Sequence, residues 1–164
     1  MTIRDAREAD LPAIVAIYNA TIPGRMVTAD LEPVTVASRV PWLQAHAPDR
    51  RPIWVVEKDG TVCAWLSFDT FYPRSAYDGT AMIAVYVAET HRRAGLGRLL
   101  LERALAHAPA LGLHTLLGYI FAHNEPSLRL FEALGFARWA HLPRVARLDN
   151  TERDLVILGK RVVA

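Results

Sequence analysis

The stretch at residues 86–101, YVAETHRRAGLGRLLL, decides the fold because it leaves a strand-like run and enters a run with helical apolar spacing. Between the two runs lies a basic turn that contains Gly95 and Gly97. The start of a helix exposes unpaired N–H groups and a partial positive charge, and glycine lets the backbone approach an anion closely. The turn therefore indicates a phosphate-binding cradle, to which its arginines add formal charge.

Two better-known phosphate cradles do not match this turn. The dinucleotide fingerprint G-x-G-x-x-G requires a third glycine where Leu100 stands. The P-loop requires Gly-Lys-Ser/Thr at its end, whereas Arg98 follows the second glycine here. On spacing alone, a tight strand-to-helix turn with solvated arginines explains the sequence equally well, so both interpretations stay open at this point.

The composition is that of a globular protein. The chain has 164 residues, of which 52% are hydrophobic, so we expect one domain over residues 1–164. No apolar run reaches the roughly 20 residues of a membrane span, and the N-terminal MTIRDAREAD lacks the apolar core of a secretion signal. With Cys63 as the single cysteine, a reducing cytoplasm is expected. The net charge of +2 is too small to indicate nucleic-acid binding, and the positive charge is concentrated at Arg92, Arg93 and Arg98.

Periodicity and turn residues predict a mixed α/β domain. Helices are predicted in ADLPAIVAIYNA (9–20, capped by Asp10), VTVASRVPWLQAH (34–46, capped by Thr35), residues 96–108 and NEPSLRLFEALGF (124–136). Strands are predicted as a DG hairpin over 52–71, and in TAMIAVYV (80–87), HTLLGYIF (114–121), FARWAHLP (136–143) and RDLVILGKRV (153–162). Residues 21–33 are predicted to form a loop. The central strand–helix–strand unit is expected to be parallel and right-handed.

Two motifs resemble those of the GNAT acetyltransferases. HRRAGLGRLLL matches the Q/R-x-x-G-x-G/A motif of that superfamily, with Arg92, Gly95 and Gly97 in the three marked places. HNEPSLRLFEALGF resembles its Asn-x-x-Ser helix that ends in Gly-Phe, with Asn124 and Ser127 in the marked places.

The resemblance runs over residues 3–162 and is closest to the phosphinothricin and methionine-sulfoximine N-acetyltransferase branch. The segments IYNATIPGRMVTADLEPVT, WLSFDTFYPRSAY, YIFAHNEPS and ERDLVILG carry it. It implies an α/β fold of GNAT type, with a mixed, mostly antiparallel central sheet, a splayed parallel strand pair and flanking helices. It also implies a homodimer, for which RDLVILGKRV offers an apolar strand.

The resemblance further implies acetyl-CoA as the cofactor. Its pyrophosphate would lie on backbone amides of the glycine turn, whose residues are Arg92, Arg93, Ala94, Gly95, Leu96, Gly97 and Arg98. Its pantetheine arm would run beside the backbone of Val85, Tyr86 and Val87, where an amide near Val87 would polarise the thioester carbonyl. Asn124 would hydrogen-bond this arm, as Ser127 would. A helix cap is the alternative role for Asn124, and the two roles are compatible.

The acceptor amine is expected beside FDTFYPRSAYDGT (68–80), the region that shapes the acceptor pocket in relatives. Arg74 would bind a substrate carboxylate as a bidentate pair, and Tyr72 and Tyr77 would form walls. A surface arginine and packed loop aromatics are the alternatives. The expected acceptor is a small amine of the phosphinothricin, methionine-sulfoximine or methionine-sulfone type.

The chain departs from this branch at two positions that handle protons. Met82, which is expected in the acceptor pocket, stands where relatives usually have a general-base glutamate, and Phe131 stands where they have a tyrosine or histidine. No catalytic residue is therefore predicted, and the conceivable replacements are Asp69, Tyr86, Tyr119 and His123. The six histidines show no metal-ligand spacing, so no metal site is expected.

The preferred function is a small-molecule N-acetyltransferase. The amine would attack the thioester directly in a ternary complex, because no activated nucleophile is visible in the sequence. The alternative is a protein that binds acetyl-CoA without turnover, as a sensor or structural subunit, and Met82 supports it. Nucleic-acid binding has only the arginine cluster in its favour.

Overall fold

The computed structural model describes residues 1–163 and contains a seven-stranded sheet in the order β1-β2-β3-β4-β5-β7-β6. The strands are β1 (Thr2–Asp5), β2 (Ile53–Lys58), β3 (Thr61–Thr70), β4 (Thr80–Val87), β5 (Thr115–Phe121), β6 (Ala137–Leu148) and β7 (Thr151–Arg161). The helices are α1 (Leu11–Asn19), α2 (Val36–Gln44), α3 (Leu96–His107) and α4 (Glu125–Ala133). Short 3-10 turns lie at Glu8–Asp10, Ser75–Tyr77, Glu89–His91 and Ala108–Leu111. Within residues 1–163, no helix is long and apolar enough to cross a membrane.

Neighbouring strands run antiparallel except for β4 and β5, which are parallel and are connected through α3. The predicted mixed, mostly antiparallel fold is therefore confirmed. The parallel pairing is short, because it runs only from Thr80 opposite Thr115 to Met82 opposite Leu117. Beyond that point β4 stays paired with β3 as far as Val87, and β5 stays paired with β7 as far as Phe121. The two central strands therefore separate toward their C-terminal ends.

The sheet is covered on both faces. Successive side chains of a strand point to opposite faces, and β2 places Trp54 and Val56 in one apolar cluster but Ile53 and Val55 in another. The first cluster contains the apolar faces of α3 and α4, and the second contains that of α1. Cys63 belongs to the first cluster and is 1% exposed, so it acts as a small buried apolar residue.

The helix starts follow from local chemistry, with one correction. Thr35 caps α2 by accepting a hydrogen bond from the Ser38 N–H at 3.1 Å, and α2 continues through Pro41. The prediction that the Asp10 side chain caps α1 is wrong. Its carboxylate instead accepts hydrogen bonds from Arg4 and from the backbone N–H of Arg7, because a 3-10 turn precedes the helix.

Two strand predictions also need correction. No strand was expected before α1, yet β1 pairs with β2 along the edge of the sheet. Its four residues are too few and too polar to show a pattern, and the Arg4 side chain anchors it to Asp10 and Glu57. The strand predicted to end at residue 143 continues to Leu148, because its register with β7 shifts between Leu142 and Ala146 and then resumes.

Candidate active site

A cleft of about 460 Å³ opens where β4 and β5 separate. One wall is formed by residues 82–86 of β4 and the other by residues 119–121 of β5. Its remaining lining comes from the loop after α1, from β3, from α4 and from the β6–β7 hairpin: Val27, Thr28, Ala29, Asp69, Asn124, Ser127, Phe131, Val145, Ala146 and Leu155. We use "the cleft" for this set of residues.

The backbone of β4 supplies the polar groups of the cleft wall. Past Met82 its edge toward β5 has no partner strand among residues 1–163, while its other edge remains bonded to β3. Unpaired N–H and C=O groups in a fixed extended strand can pair with an extended ligand that carries amides, as an added strand would. Val85 and Tyr86 lie on this wall, and Val87 follows at its end.

Gly118 and Phe131 bring α4 close to the sheet at the base of the cleft. A Cβ at Gly118 would lie 2.5 Å from Cε1 of Phe131, so the ring packs directly on the backbone of β5. Phe131 also makes an edge contact with Phe136, with ring centroids 5.0 Å apart. This position therefore contributes an apolar surface and no proton-handling group.

Asn124 caps α4 and also faces the cleft. It is 6% exposed, and its Oδ1 accepts a hydrogen bond from the Ser127 N–H at 3.4 Å. Its Nδ2 group donates to no acceptor within the described residues, so it is available to a ligand carbonyl. The cap and the ligand-binding role expected for Asn124 are thus compatible in this geometry.

The glycine turn lies at the C-terminal end of β4. Gly95 is the N-cap of α3 and has φ 76°, and Arg93 has φ 63°, so the chain reverses through two left-handed residues. The backbone N–H groups of Arg93, Ala94 and Gly95 make no hydrogen bond to other described residues. A Cβ at Gly97 would lie 3.4 Å from Leu130 and 3.8 Å from Val87, so the first turn of α3 contacts both α4 and β4.

The three arginines of the turn differ in their surroundings. Arg98 donates a hydrogen bond to Glu102 at 2.7 Å, and Arg92 lies 4.0 Å from Glu89. Arg93 forms no ion pair with the described residues. The turn therefore offers less unpaired positive charge than the sequence suggests. Its exposed backbone N–H groups are the more specific hydrogen-bond donors for an anion.

Asp69 is the one carboxylate among the described residues that line the cleft. Its Oδ1 lies 3.1 Å from Nε2 of His46, and its Oδ2 accepts a hydrogen bond from the Ser67 hydroxyl at 2.6 Å. Nδ1 of His46 lies 2.6 Å from the carbonyl oxygen of Trp42. Burial favours the neutral imidazole, but hydrogen bonds to Asp69 and to the Trp42 carbonyl outweigh it and raise the pKa of His46.

The other conceivable proton-handling groups are less suited to that role. Burial raises the pKa of the Tyr86 phenol, whose ring stacks on Trp65 with centroids 4.6 Å apart. Burial also raises the pKa of Tyr119. His123 is turned to the carbonyl oxygen of Arg25, 3.0 Å from its Nε2. In the described part of the chain, no group of three or more His, Cys, Asp or Glu side chains could hold a metal ion.

Comparison with known proteins matches residues 14–136 to the acetyltransferase (GNAT) family. The chain belongs to the GNAT acetyltransferase family. It is 50% identical over 163 residues to YwnH of Bacillus subtilis, provisionally named a phosphinothricin acetyltransferase, and the match covers 99% of each chain. It is 34% identical over 158 residues to the L-methionine sulfoximine/L-methionine sulfone acetyltransferase of Pseudomonas aeruginosa, covering 96% of this chain and 92% of that one.

A solved GNAT structure has the same architecture and a bound cofactor. This acetyltransferase from Salmonella typhimurium, solved with acetyl-CoA, superposes with a TM-score of 0.93 at 31% identity, covering 100% of this chain and 95% of the other. The predicted family, enzyme class and cofactor are thereby confirmed at the level of the GNAT family.

Of the predicted acceptor residues, only Met82 lies in the cleft of this GNAT acetyltransferase. Tyr72, Arg74 and Tyr77 lie in the β3–β4 connection, outside the cleft lining. The two tyrosines are half exposed and contact each other at 5.6 Å between ring centroids. A role for these three residues in acceptor binding stays a prediction.

Residues 27–29 form a part of the cleft wall that was not expected from the sequence. The Tyr18 hydroxyl donates a hydrogen bond to Asp30 and accepts one from the Thr28 hydroxyl, and these bonds hold the loop. Arg25 also donates to Asp149 of the β6–β7 turn at 2.9 Å. These partners are 10 to 124 residues apart in the chain. No local pattern could have indicated them. The pairing of Asp69 with His46 escaped prediction for the same reason, although Asp69 itself was among the residues considered.

Proposed function

We propose that this GNAT acetyltransferase transfers the acetyl group of acetyl-CoA to the amine of a small amino-acid analogue of the phosphinothricin or methionine-sulfoximine type. One observation carries the proposal: the unpaired edge of β4 borders the cleft, and the glycine turn lies at the C-terminal end of the same strand. The names of the Bacillus and Pseudomonas relatives support the acceptor class.

The described residues fit acetyl-CoA along one line from the glycine turn to the base of the cleft. The N–H groups of Arg93, Ala94 and Gly95 would hold the pyrophosphate, and the β4 edge and Asn124 would hold the pantetheine amides. The cofactor supplies an activated acetyl group as a thioester. A backbone N–H at the end of β4, near Val87, would stabilise negative charge on the carbonyl oxygen.

Direct attack by the amine in a ternary complex is the mechanism that these residues support. The described lining of the cleft includes no cysteine, lysine or histidine, and the Ser127 hydroxyl has no basic partner. Cys63 is buried in the core. Without an activated nucleophile, the protein would act by orienting the amine and the thioester toward each other.

The test is a panel of amines assayed with acetyl-CoA by release of free thiol. The proposal expects fastest turnover of phosphinothricin, methionine sulfoximine and methionine sulfone, and intersecting initial-velocity lines, which a ternary complex produces. Decarboxylated analogues are the matched control substrates. Equal turnover of carboxylate-free amines would overturn the acceptor class, and parallel lines would overturn the mechanism.

Arg74 provides a sharper test of acceptor recognition. If it binds the substrate carboxylate, Arg74→Ala should raise the KM for the amine by roughly tenfold or more and leave that for acetyl-CoA unchanged. Arg138→Ala, which removes an exposed arginine from the β6 edge, is the control and should change neither KM. A rise in both KM values would contradict the assignment. A homodimer and a cytoplasmic location stay predictions.

A second function is favoured by one observation, the apolar character of Met82 and Phe131 at the base of the cleft. A protein that only binds acetyl-CoA would need no proton acceptor there. Calorimetric binding of acetyl-CoA without thiol release for any amine of the panel would establish this alternative.

A further inference from the structure

Asp69 occupies a position from which it can reach an amine in the cleft. An ammonium group must lose a proton before its nitrogen can attack, so the cleft requires a proton acceptor. Asp69 on β3 is directly opposite Met82 on β4 in the antiparallel register. Side chains that are opposite in this way lie on the same face of the sheet, with Cβ atoms roughly 5 Å apart. The carboxylate therefore stands beside the cleft wall, one strand away from Met82.

The hydrogen bonds of His46 show that it shares a proton with Asp69. The carbonyl oxygen of Trp42 can only accept, so Nδ1 of His46 must carry a hydrogen. Nε2 faces Oδ1 of Asp69, and either the ring or the carboxyl group must supply the hydrogen between them. The Ser67 hydroxyl donates to the second carboxylate oxygen and fixes the orientation of Asp69.

The pair also connects two cavities. Asp69 lines the cleft, whereas His46 lines a smaller cavity of about 150 Å³ between the end of β1 and the end of α2. The His46 side chain is 9% exposed and that of Asp69 is 29% exposed. A proton that enters at the carboxylate can therefore leave through the imidazole into the second cavity, away from the reacting groups.

We infer that Asp69 accepts the proton of the acceptor amine and that His46 is a positioning residue, which shares this proton and returns it to solvent through the second cavity. The inference rests on the proposed function. The N–H bond of the ammonium group breaks, the proton passes to the Asp69 carboxylate, and the nitrogen keeps the electron pair with which it attacks. The pair then holds the proton as imidazolium and carboxylate until solvent removes it.

This arrangement gives the reaction a defined pH dependence. The pair accepts a proton only when it has lost its own, and the hydrogen bonds of His46 place that loss above the ordinary histidine pKa of about 6.5. Tyr86 on β4 lines the cleft with Asp69 but stays neutral because burial raises its pKa. Asp5, Arg7 and Glu8 line the second cavity with His46. We expect kcat to rise with pH through a midpoint above about 6.5 and then to level off.

Asp69→Asn tests the proton acceptor, because the amide keeps the shape of the side chain without its charge. At saturating substrates and pH 7, kcat should fall by roughly 10²-fold or more, and the remaining rate should rise about tenfold per pH unit as the amine itself deprotonates. Asp154→Asn is the matched control, because Asp154 forms a similar pair with His141 at 2.7 Å on the exposed β6–β7 hairpin. It should leave kcat and the pH profile unchanged.

Two further variants separate the proposed roles from a structural one. His46→Gln should lower kcat and remove the rise near neutral pH, because the variant lacks the imidazole, and His141→Gln should change neither. Adding Met82→Glu to Asp69→Asn returns a carboxylate to the same face of the sheet. The double variant should have a kcat at least about tenfold higher than that of Asp69→Asn alone. A purely structural role of Asp69 predicts no such recovery.

The outcomes distinguish this inference from the proposed function. An Asp69→Asn protein that binds acetyl-CoA normally and keeps the wild-type kcat and pH profile would overturn the inference and leave the function intact. If Asp69→Asn does not bind acetyl-CoA, the His46→Gln profile decides, and an unchanged rise near neutral pH overturns the inference. A wild-type protein that acetylates no amine of the panel would overturn the proposed function and the inference together.

Discussion

At the scale of single residues, side-chain size at the base of the cleft controls how closely α4 approaches β5. The Phe131 ring occupies the space where any other residue at position 118 would place its Cβ. Phe131 is 4% exposed and packs against Phe136, so it has little room to retreat except into the cleft. The glycine is therefore required for packing as well as for the shape of the ligand site.

We predict that Gly118→Ala destabilises the protein by about 1–3 kcal/mol, because the added methyl group overlaps the Phe131 ring. Acetyl-CoA affinity should fall as the ring moves into the cleft. Urea unfolding measures the first effect and calorimetry the second. Gly24→Ala is the control, because its Cβ meets only the Thr21 carbonyl oxygen at 3.8 Å, and it should stay within about 0.5 kcal/mol of wild type. Equal stability of the two variants would contradict the packing argument.

At the scale of elements, the first turn of α3 and the end of β4 act together. Left-handed residues at Arg93 and Gly95 turn the chain so that α3 begins immediately after the strand, with backbone N–H groups exposed. Gly97 lies inside this first turn and contacts Val87. A ligand phosphate at the helix start would therefore lie in line with an arm bound along β4.

A negative side chain in this turn should displace a bound phosphate. Gly97→Glu places both a side chain and a like charge at the proposed pyrophosphate site, so we predict a rise of at least roughly tenfold in the Kd for acetyl-CoA, measured by calorimetry. Ala106→Glu makes the same charge change on the exposed side of the last turns of α3 and should bind normally. A folded Gly97→Glu protein with unchanged affinity would rule out the turn as the pyrophosphate site.

At the scale of the whole molecule, the N-terminal edge of the sheet is held by charge. Arg4 of β1 donates to Asp10 at 2.8 Å and to Glu57 of β2 at 2.6 Å, and the Asp10 side chain is 9% exposed. These hydrogen bonds connect the edge strand to the start of α1 and to its neighbour in the sheet. Hydrogen bonds from Arg4 lower the pKa of Asp10, although burial opposes this effect.

The sign of this pKa shift predicts how stability depends on pH. Ionised Asp10 contributes stability above the unfolded-chain pKa of about 3.9, and this contribution is lost as pH falls through the lower pKa of the folded state. We predict that Asp10→Asn costs about 2 kcal/mol in urea unfolding at pH 7 and less at about pH 3. Asp49→Asn, at an exposed position, should cost little at either pH. Equal losses for Asp10→Asn at both pH values would contradict this account.

The sequence by itself determined the features that depend on neighbours along the chain. The DG hairpin was predictable because a two-residue turn requires positive φ at both positions, and Asp59 and Gly60 have φ 50° and 76°. The caps at Thr35 and Asn124 and the left-handed Gly95 follow from similar local chemistry. The order of strands and helices from α1 onward was therefore readable without coordinates, and the two motifs indicated the family.

Only the tertiary structure decided which distant residues share the cleft. β1 gains its stability from β2, about 50 positions later, and its own four residues show no strand pattern. His46 and Asp69 are 23 positions apart and become a pair only when α2 packs across β3. The β3–β4 connection, from which Arg74 was expected to reach the substrate, lies outside the cleft lining. The helix and strand preferences of neighbouring residues cannot indicate such contacts, because the free energy of these contacts comes from surfaces that meet only after the sheet has formed.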